Sequence, residues 1–191
     1  MLADRKLIAA ARELFYRRGF QAVSVDEIAA EAGVTKMTLY RHFASKDALA
    51  AACLKEIAVE DLARFDAIAE RLPSDPVGQL RAIVQEAAER IGASDYRGWS
   101  MTNVAVELTE ACHPARQVAE TYKTRTREHL LALAAQAGAD RPRALADGLL
   151  LLIEGAAVSR QTFAAAGPSE CLVDAFESLL GAQVLAKPQP A

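Results

Sequence analysis

Apolar residues recur at intervals of three and four along most of this chain, which is the spacing that places them on one side of an α-helix. The first such stripe consists of Leu7, Ile8, Ala11, Leu14 and Phe15. It predicts a helix over residues 3–18, which Gly19 is placed to end. Alternating runs of β-branched residues do not occur, and much of the apolar content is Ala and Leu, which favour helix. The pattern therefore predicts an all-α protein.

The stretch from Ser24 to Phe43 predicts two short helices joined by a tight turn. Ser24 and, three residues later, Glu27 form a capping box at the start of the first helix. Gly33 stands where a left-handed residue would end that helix, and Thr35 can cap the next one. This arrangement, with a polar and basic outer face on the second helix, indicates a DNA-binding helix-turn-helix. An ordinary helical hairpin would fit the same caps and glycine.

Six further helices are predicted from apolar stripes and from the prolines and glycines between them. They span residues 46–72, 76–92, 99–111, 114–137, 141–166 and 169–185. Together with the three near the N-terminus, this makes about nine helices. We expect a helix-turn-helix domain over residues 1–47, a larger helical domain over residues 48–185, and a disordered tail over residues 186–191, which contains two prolines.

Charge is distributed unevenly along the 191 residues. The net charge is only −3, so the chain as a whole is not a polybasic nucleic-acid binder. Residues 1–50 hold eight basic and six acidic side chains, a net charge of +2, and the remainder carries −5. A basic end on an acidic body is typical of a protein that presents one end to nucleic acid.

Several function classes are disfavoured by what the sequence lacks. The three cysteines, Cys53, Cys112 and Cys171, are too widely spaced for a metal pattern or a disulfide framework, which favours a reducing cytoplasm. We expect no signal peptide, and the apolar segment 148–158 is too short to span a bilayer. No catalytic or phosphate-binding motif occurs. We therefore expect no enzyme activity, no metal and no cofactor.

The segment SVDEIAAEAGVTKMTLYRHFASKDAL, residues 24–49, resembles the DNA-binding domain of the TetR (TetR/AcrR, tetracycline-repressor-like) family of transcriptional regulators. The preceding AARELFYRRGFQAVSV, residues 10–25, resembles the first helix of that family. The resemblance implies a three-helix DNA-binding domain followed by a helical domain that binds a small molecule. It also implies a homodimer, formed through a four-helix bundle of the last two helices of each chain.

Candidate DNA contacts lie on and around the second short helix. Near its start, Lys36 could donate to guanine O6 and N7, and Met37 could lie against a thymine methyl group, although the family often has a small residue there. Arg41 could contact bases or simply lie in solvent. The side chains suited to phosphate are those of Ser24, Thr35, Thr38, Tyr40, His42 and Lys46. The resemblance implies DNA-backbone contacts for Tyr40 and Lys46 in particular.

The ligand site is less clearly indicated. The candidates combine aromatic and apolar groups with a few polar ones, as small-molecule sites do. They are Phe65, Trp99, Met101, Asn103, Glu107, Tyr122 and Phe163. Each aromatic residue would fit a core position equally well. Asn103 and Glu107, four residues apart, could serve one site, or Glu107 could be a solvated helix residue.

The last two predicted helices are apolar over a wide arc, which favours a dimer interface. The candidate interface residues are Leu145, Gly148, Leu149, Leu152, Gly155, Ala156, Leu172, Phe176 and Leu179. The alternative is that both helices lie in the centre of the core of one chain.

Together these features predict a ligand-responsive DNA-binding transcriptional regulator that works as a homodimer. We expect a repressor that a small molecule releases from a pseudo-palindromic operator. An activator, or a regulator without a small ligand, fits the same pattern. The alternative from another class is a small-molecule-binding or metabolic helical protein in which the helix-turn-helix is only structural.

Overall fold

The computed structural model describes residues 2–163 and 167–184, and the elements in this part of the chain are all helical. The α-helices of the described residues are α1 (Leu2–Arg18), α2 (Val25–Glu31), α3 (Lys36–His42), α4 (Lys46–Arg71), α5 (Pro76–Gly92), α6 (Ser100–Glu107), α7 (Pro114–Gln136), α8 (Pro142–Phe163) and α9 (Leu172–Gln183). A 3-10 helix, Pro168–Cys171, leads into α9. The all-α prediction is confirmed. The predicted tail, residues 186–191, lies outside the described residues.

Helix α6 is shorter than the predicted span of residues 99–111. It ends at Glu107, and Leu108 adopts an extended backbone conformation. The guanidinium of Arg116 donates hydrogen bonds to the carbonyl oxygens of Ala105 at 2.7 Å and Leu108 at 2.8 Å. The carbonyl groups at this helix end are therefore satisfied by a side chain, and no further helical turn is needed to satisfy them.

The local signals around α2 and α3 form as predicted. The Ser24 hydroxyl accepts the Glu27 backbone N–H at 3.2 Å, and the Glu27 carboxylate accepts the Ser24 backbone N–H at 2.8 Å. Gly33 has φ +64°, the left-handed conformation that glycine adopts without strain. The Thr35 hydroxyl accepts the Thr38 backbone N–H at 3.1 Å. Both short helices are thus started by side chains within three residues of the groups that they satisfy.

The helices form two compact units. The head unit comprises Met1–Asp61 and Trp99–Lys123, and the body unit comprises Leu62–Gly98 and Thr124–Ala191. The head unit therefore extends beyond the domain predicted to end at residue 47, since it also includes the first part of α4, all of α6 and the first part of α7.

The core of the head unit fixes the orientation of α3. Leu7 of α1, Ile28 of α2, Leu39 of α3 and Leu49 of α4 are all 0% exposed and belong to one hydrophobic cluster. Because Leu39 faces this cluster, the opposite side of α3 is turned to solvent.

The core of the body unit is formed where α5, α8 and α9 pack against one another. Most of the residues predicted for the dimer interface belong to this packing. Five are buried, at 0–7% exposure: Leu145, Leu149, Ala156, Leu172 and Phe176. Two others meet within the chain, since a Cβ on Gly148 would lie 2.9 Å from Leu179 Cδ2. These residues take part in the packing of a single chain, and their assignment to a dimer interface stays a prediction.

A different face of α8 is open to solvent. Leu151 is 74% exposed and Val158 is 55% exposed, and Gly155 lies between them on the same face. Leu152 is half-buried. Residues 151, 155 and 158 follow the four- and three-residue steps of a helical stripe. Helix α8 therefore has two apolar faces, of which one packs in the core of the body unit and the other is open to solvent.

Candidate nucleic-acid interface

The outer face of α3 carries the predicted base contacts. Met37 is 83% exposed and Tyr40 is 48% exposed, and Lys36, Arg41 and His42 are exposed beside them. A large apolar side chain at such exposure contributes almost nothing to the core. The face combines an ammonium, a guanidinium, an imidazole, a phenol and a thioether, which are groups able to contact phosphates and base edges.

The hydroxyl groups predicted to contact phosphate also stabilise the helix starts. Ser24 Oγ donates to Glu27 Oε2 at 2.8 Å in addition to accepting the Glu27 N–H. The hydrogen bonds from the Ser24 backbone and side chain, followed by that from Arg18, lower the pKa of Glu27 to about 2. Thr35 Oγ1 and Thr38 Oγ1 lie 3.0 Å apart and share a hydrogen bond. These hydroxyl groups are therefore held in fixed positions near the exposed face.

Lys36 has a partner that the sequence did not indicate. Its Nζ donates to Asp26 Oδ2 at 3.0 Å, and this hydrogen bond raises the pKa of Lys36. Asp26 lies in the first turn of α2, whereas Lys36 is the first residue of α3. The two residues are brought together by the turn between the helices, so no periodicity within one helix pairs them.

Lys46 holds the segment Gly19–Val23, here called the α1–α2 turn. Its Nζ donates to the carbonyl oxygens of Phe20 and Val23, both at 2.9 Å, and lies 4.2 Å from the centroid of the Phe20 ring. An ammonium group has three N–H donors, so one donor of Lys46 is left beyond these two bonds. The predicted phosphate contact of Lys46 remains a prediction, and the structure adds a positioning role.

Glu107 of α6 binds backbone amides of the same turn. Its Oε2 accepts the backbone N–H of Phe20 at 2.7 Å and of Gln21 at 3.1 Å. Gly19 has φ +84°, and a Cβ there would lie 3.0 Å from Glu107 Oε1. Glu107, predicted as a ligand contact or a solvated residue, thus fixes the α1–α2 turn. Nothing in the sequence links positions so far apart.

The other ligand candidates are divided between the two units. Trp99, Met101, Asn103 and Tyr122 belong to the head unit, and Phe65 and Phe163 belong to the body unit. Met101 is only 2% exposed and packs in the head core, so it is a core residue. Phe163 is 58% exposed and is the last residue of α8.

Three of these candidates have partners of their own. The Tyr122 hydroxyl donates to Asp61 Oδ2 at 3.4 Å. Phe65 stacks on His129 with ring centroids 4.9 Å apart, and burial lowers the pKa of His129. Asn103 lines a narrow, mainly apolar cleft in the head unit together with Glu107 and aromatic residues of α1. The predicted ligand contacts remain predictions.

The structure offers no metal site among the described residues, where no cluster of three or more His, Cys, Asp or Glu side chains occurs. Burial raises the pKa of the Cys53 thiol to about 12, which disfavours the thiolate form that reacts. Within the same described residues, no helix is long and apolar enough to cross a membrane.

Comparisons with known proteins agree with this geometry. The profile of a family described as bacterial regulatory proteins, tetR family, matches residues 7–53. A TetR-family transcriptional regulator from Streptomyces coelicolor superposes with a TM-score of 0.88 and 30% sequence identity, over 94% of this chain and 94% of that one. A protein described as a TetR transcriptional regulator, from Streptomyces avermitilis, superposes with a TM-score of 0.82 and 31% identity, over 95% and 97% of the two chains.

Similarity to a named curated protein covers a shorter region. The HTH-type transcriptional activator FasR from Mycolicibacterium smegmatis is 42% identical over 80 residues, which are 42% of this chain and 36% of that protein. The proteins matched are named as transcriptional regulators, in agreement with the expectation that this chain is not an enzyme. Because the identity of 30% extends over 94% of both chains in the Streptomyces coelicolor match, this chain belongs to the TetR family of bacterial transcriptional regulators.

Proposed function

We propose that this protein regulates transcription by reading DNA with the outer face of α3. The observation that carries the proposal is the exposure of Met37, at 83%, on a helix whose opposite side is anchored by the fully buried Leu39. A seven-residue helix that shows a methionine, a tyrosine and three basic or imidazole groups to solvent has a surface suited to the major groove.

The contacts follow from the chemistry of each group. Lys36 would donate to guanine, and Met37 would lie against a thymine methyl group. Thr35, Thr38, Tyr40 and His42 would contact the DNA backbone, together with Ser24 and the remaining N–H of Lys46. Arg41 would contact either bases or solvent.

We infer that the protein works as a homodimer through the exposed face of α8. Leu151, Gly155 and Val158 form an apolar stripe that is open to solvent in the described structure, and the glycine would allow close approach of a second helix. A two-fold dimer would present two copies of α3 to half-sites about 34 Å apart on a pseudo-palindromic operator. Most of the interface residues named from the sequence are buried, whereas this face, which includes Gly155 from that set, is open to solvent.

We further infer a repressor that a small-molecule effector releases from its operator. Release requires that the effector bind the DNA-competent and the DNA-incompetent conformations with different affinity. The family resemblance supports this inference. A regulator of this kind would act in the bacterial cytoplasm, beside the chromosome.

The test of DNA binding is a selection from a pool of randomised duplexes with the purified protein, followed by fluorescence anisotropy on the enriched sequence. We expect a pseudo-palindromic sequence to be enriched, and Lys36→Gln to weaken binding about 5-fold or more, as expected for loss of a base contact. Lys55→Gln, at an exposed position of α4, removes the same charge and should change affinity less than about 2-fold. Absence of binding even at about 50 mM salt would favour the alternative in which the helix-turn-helix is only structural.

The direction of regulation is tested with a reporter gene placed downstream of the enriched sequence. Repression predicts lower expression when the regulator is present. Higher expression would indicate that this chain activates transcription instead, as the name of FasR says of that protein.

A further inference from the structure

The ion pair between Asp26 and Lys36 lies beside the candidate DNA-binding face and is open to solvent. Asp26 is 69% exposed and Lys36 is 51% exposed at the side chain. We propose that Asp26 is a specificity-determining residue. Its ion pair with Lys36 favours contact of Lys36 with a neutral base edge over contact with a phosphate group. This inference rests on the proposed function of α3 in reading DNA.

The positions of both partners are fixed by their neighbours. The capping box of Ser24 and Glu27 holds the first turn of α2, which carries Asp26. The Thr35 cap holds the first turn of α3, which carries Lys36. The Nζ of Lys36 and Oδ2 of Asp26 are 3.0 Å apart, so the ammonium is localised between the two helices.

The chemistry of the ammonium group explains why guanine is compatible with this pair. Lysine has three N–H donors, and Asp26 occupies one of them. Two donors remain, and guanine presents two acceptors, O6 and N7, in the major groove. Since the base edge carries no net charge, Lys36 can contact it while its bond to Asp26 is retained.

A phosphate group is a poorer partner for the same pair. The carboxylate of Asp26 already neutralises Lys36, and it would repel a phosphate brought to the same ammonium. Non-specific DNA binding depends on uncompensated positive charge, so Asp26 should weaken it. The other acids of α2 do not have this arrangement, because Glu27 is bonded to Ser24 and to Arg18, at 2.7 Å, and Glu31 is not paired with Lys36.

The test compares Asp26→Asn with Glu31→Gln, which removes the same charge from an exposed position of the same helix. Binding is measured by fluorescence anisotropy over a range of salt concentrations. The probes are the duplex enriched by the wild-type protein from a randomised pool and a shuffled duplex of equal base composition. Thermal melting followed by circular dichroism verifies that each variant is folded.

We expect Asp26→Asn to tighten binding to the shuffled duplex by roughly 2- to 5-fold, which is the effect of removing one exposed ion pair. Binding to the enriched duplex should tighten by a smaller factor. The salt slope on the shuffled duplex should steepen by about 0.9, as for one additional phosphate contact. The affinity for the enriched duplex divided by the affinity for the shuffled duplex should fall for Asp26→Asn and stay unchanged for Glu31→Gln. In a Lys36→Gln background, Asp26→Asn should no longer change that ratio.

Two results would overturn the inference while leaving the proposed function intact. One is an equal affinity ratio for Asp26→Asn and Glu31→Gln. The other is an effect of Asp26→Asn on the ratio that persists without Lys36. If the wild-type protein enriches no sequence from the pool, the proposed function itself is overturned, and this inference with it.

Discussion

The carboxylate of Glu107 accepts the backbone N–H of Phe20 at 2.7 Å, although the two residues are 87 positions apart in the chain. The same oxygen accepts the N–H of Gln21, and Lys46 binds the carbonyl oxygens of Phe20 and Val23. The α1–α2 turn leads into the helix-turn-helix. Its backbone N–H groups are bound by an acidic side chain and its carbonyl oxygens by a basic one.

Replacing Glu107 with alanine should destabilise the head unit. The part-buried backbone amide of Phe20 and the exposed amide of Gln21 would lose their acceptor, at a cost of about 1–2 kcal/mol in the free energy of unfolding. Glu107→Gln is the matched control, since its amide oxygen can still accept both hydrogen bonds. Urea denaturation followed by circular dichroism measures the difference, and an alanine variant as stable as the glutamine variant would contradict the prediction.

Replacing Lys46 with methionine should also destabilise the protein, by about 1–3 kcal/mol. The variant keeps an apolar stem but loses two hydrogen bonds from a charged donor and the contact of the ammonium with the Phe20 ring. Lys55→Met, at an exposed position of α4, should change the free energy of unfolding by less than about 0.5 kcal/mol. Equal effects of the two substitutions would show that the bonds of Lys46 to the turn contribute nothing.

The capping box should make stability depend on pH in the acidic range. Hydrogen bonds from Ser24, and then from Arg18, lower the pKa of Glu27 from 4.5 to about 2, so the folded state favours the ionised carboxylate. The stabilisation is therefore present above pH 4.5 and is lost as the pH falls towards 2.

This dependence is measured by comparing the melting temperatures of the wild-type protein and Glu27→Gln at several pH values. Glutamine keeps the shape of the capping residue without its charge. The advantage of the wild-type protein should shrink steadily from pH 4.5 to pH 2. A difference in melting temperature that stays constant over this range would refute the prediction.

An acidic substitution on the exposed face of α8 should separate the proposed dimer. Leu151→Glu would place two carboxylates, one from each chain, in the apolar contact, where they repel each other and lose hydration. Val106→Glu, at a residue of α6 with the same 74% exposure as Leu151, is the matched control and should remain dimeric. Light scattering coupled to size-exclusion chromatography gives the molar masses, and a Leu151→Glu variant that stays dimeric would exclude this face as the interface.

Features that depend on neighbouring residues were predictable from the sequence. The capping box of Ser24 and Glu27, the left-handed Gly33 and the Thr35 cap all involve groups within three residues of one another. Their hydrogen bonds are local, so residue type and spacing are sufficient to indicate them. The exposure of Met37 agrees with its predicted place on the outer face of the second short helix.

The roles of Glu107 and of α8 were not predictable in this way. The periodicity of α8 is compatible with burying either of its two apolar faces, and only its packing against α5 and α9 placed Leu149 inside and Leu151 outside.

By itself, the sequence determined the all-α fold, the helix-turn-helix and the side of α3 that meets solvent, because helical period and capping act over a few residues. The tertiary structure alone decided which partner each charged side chain binds: Lys36 binds the carboxylate of Asp26, and Glu107 binds the backbone N–H of Phe20. Such contacts depend on where helices cross, and a spacing pattern within one helix carries no information about that crossing.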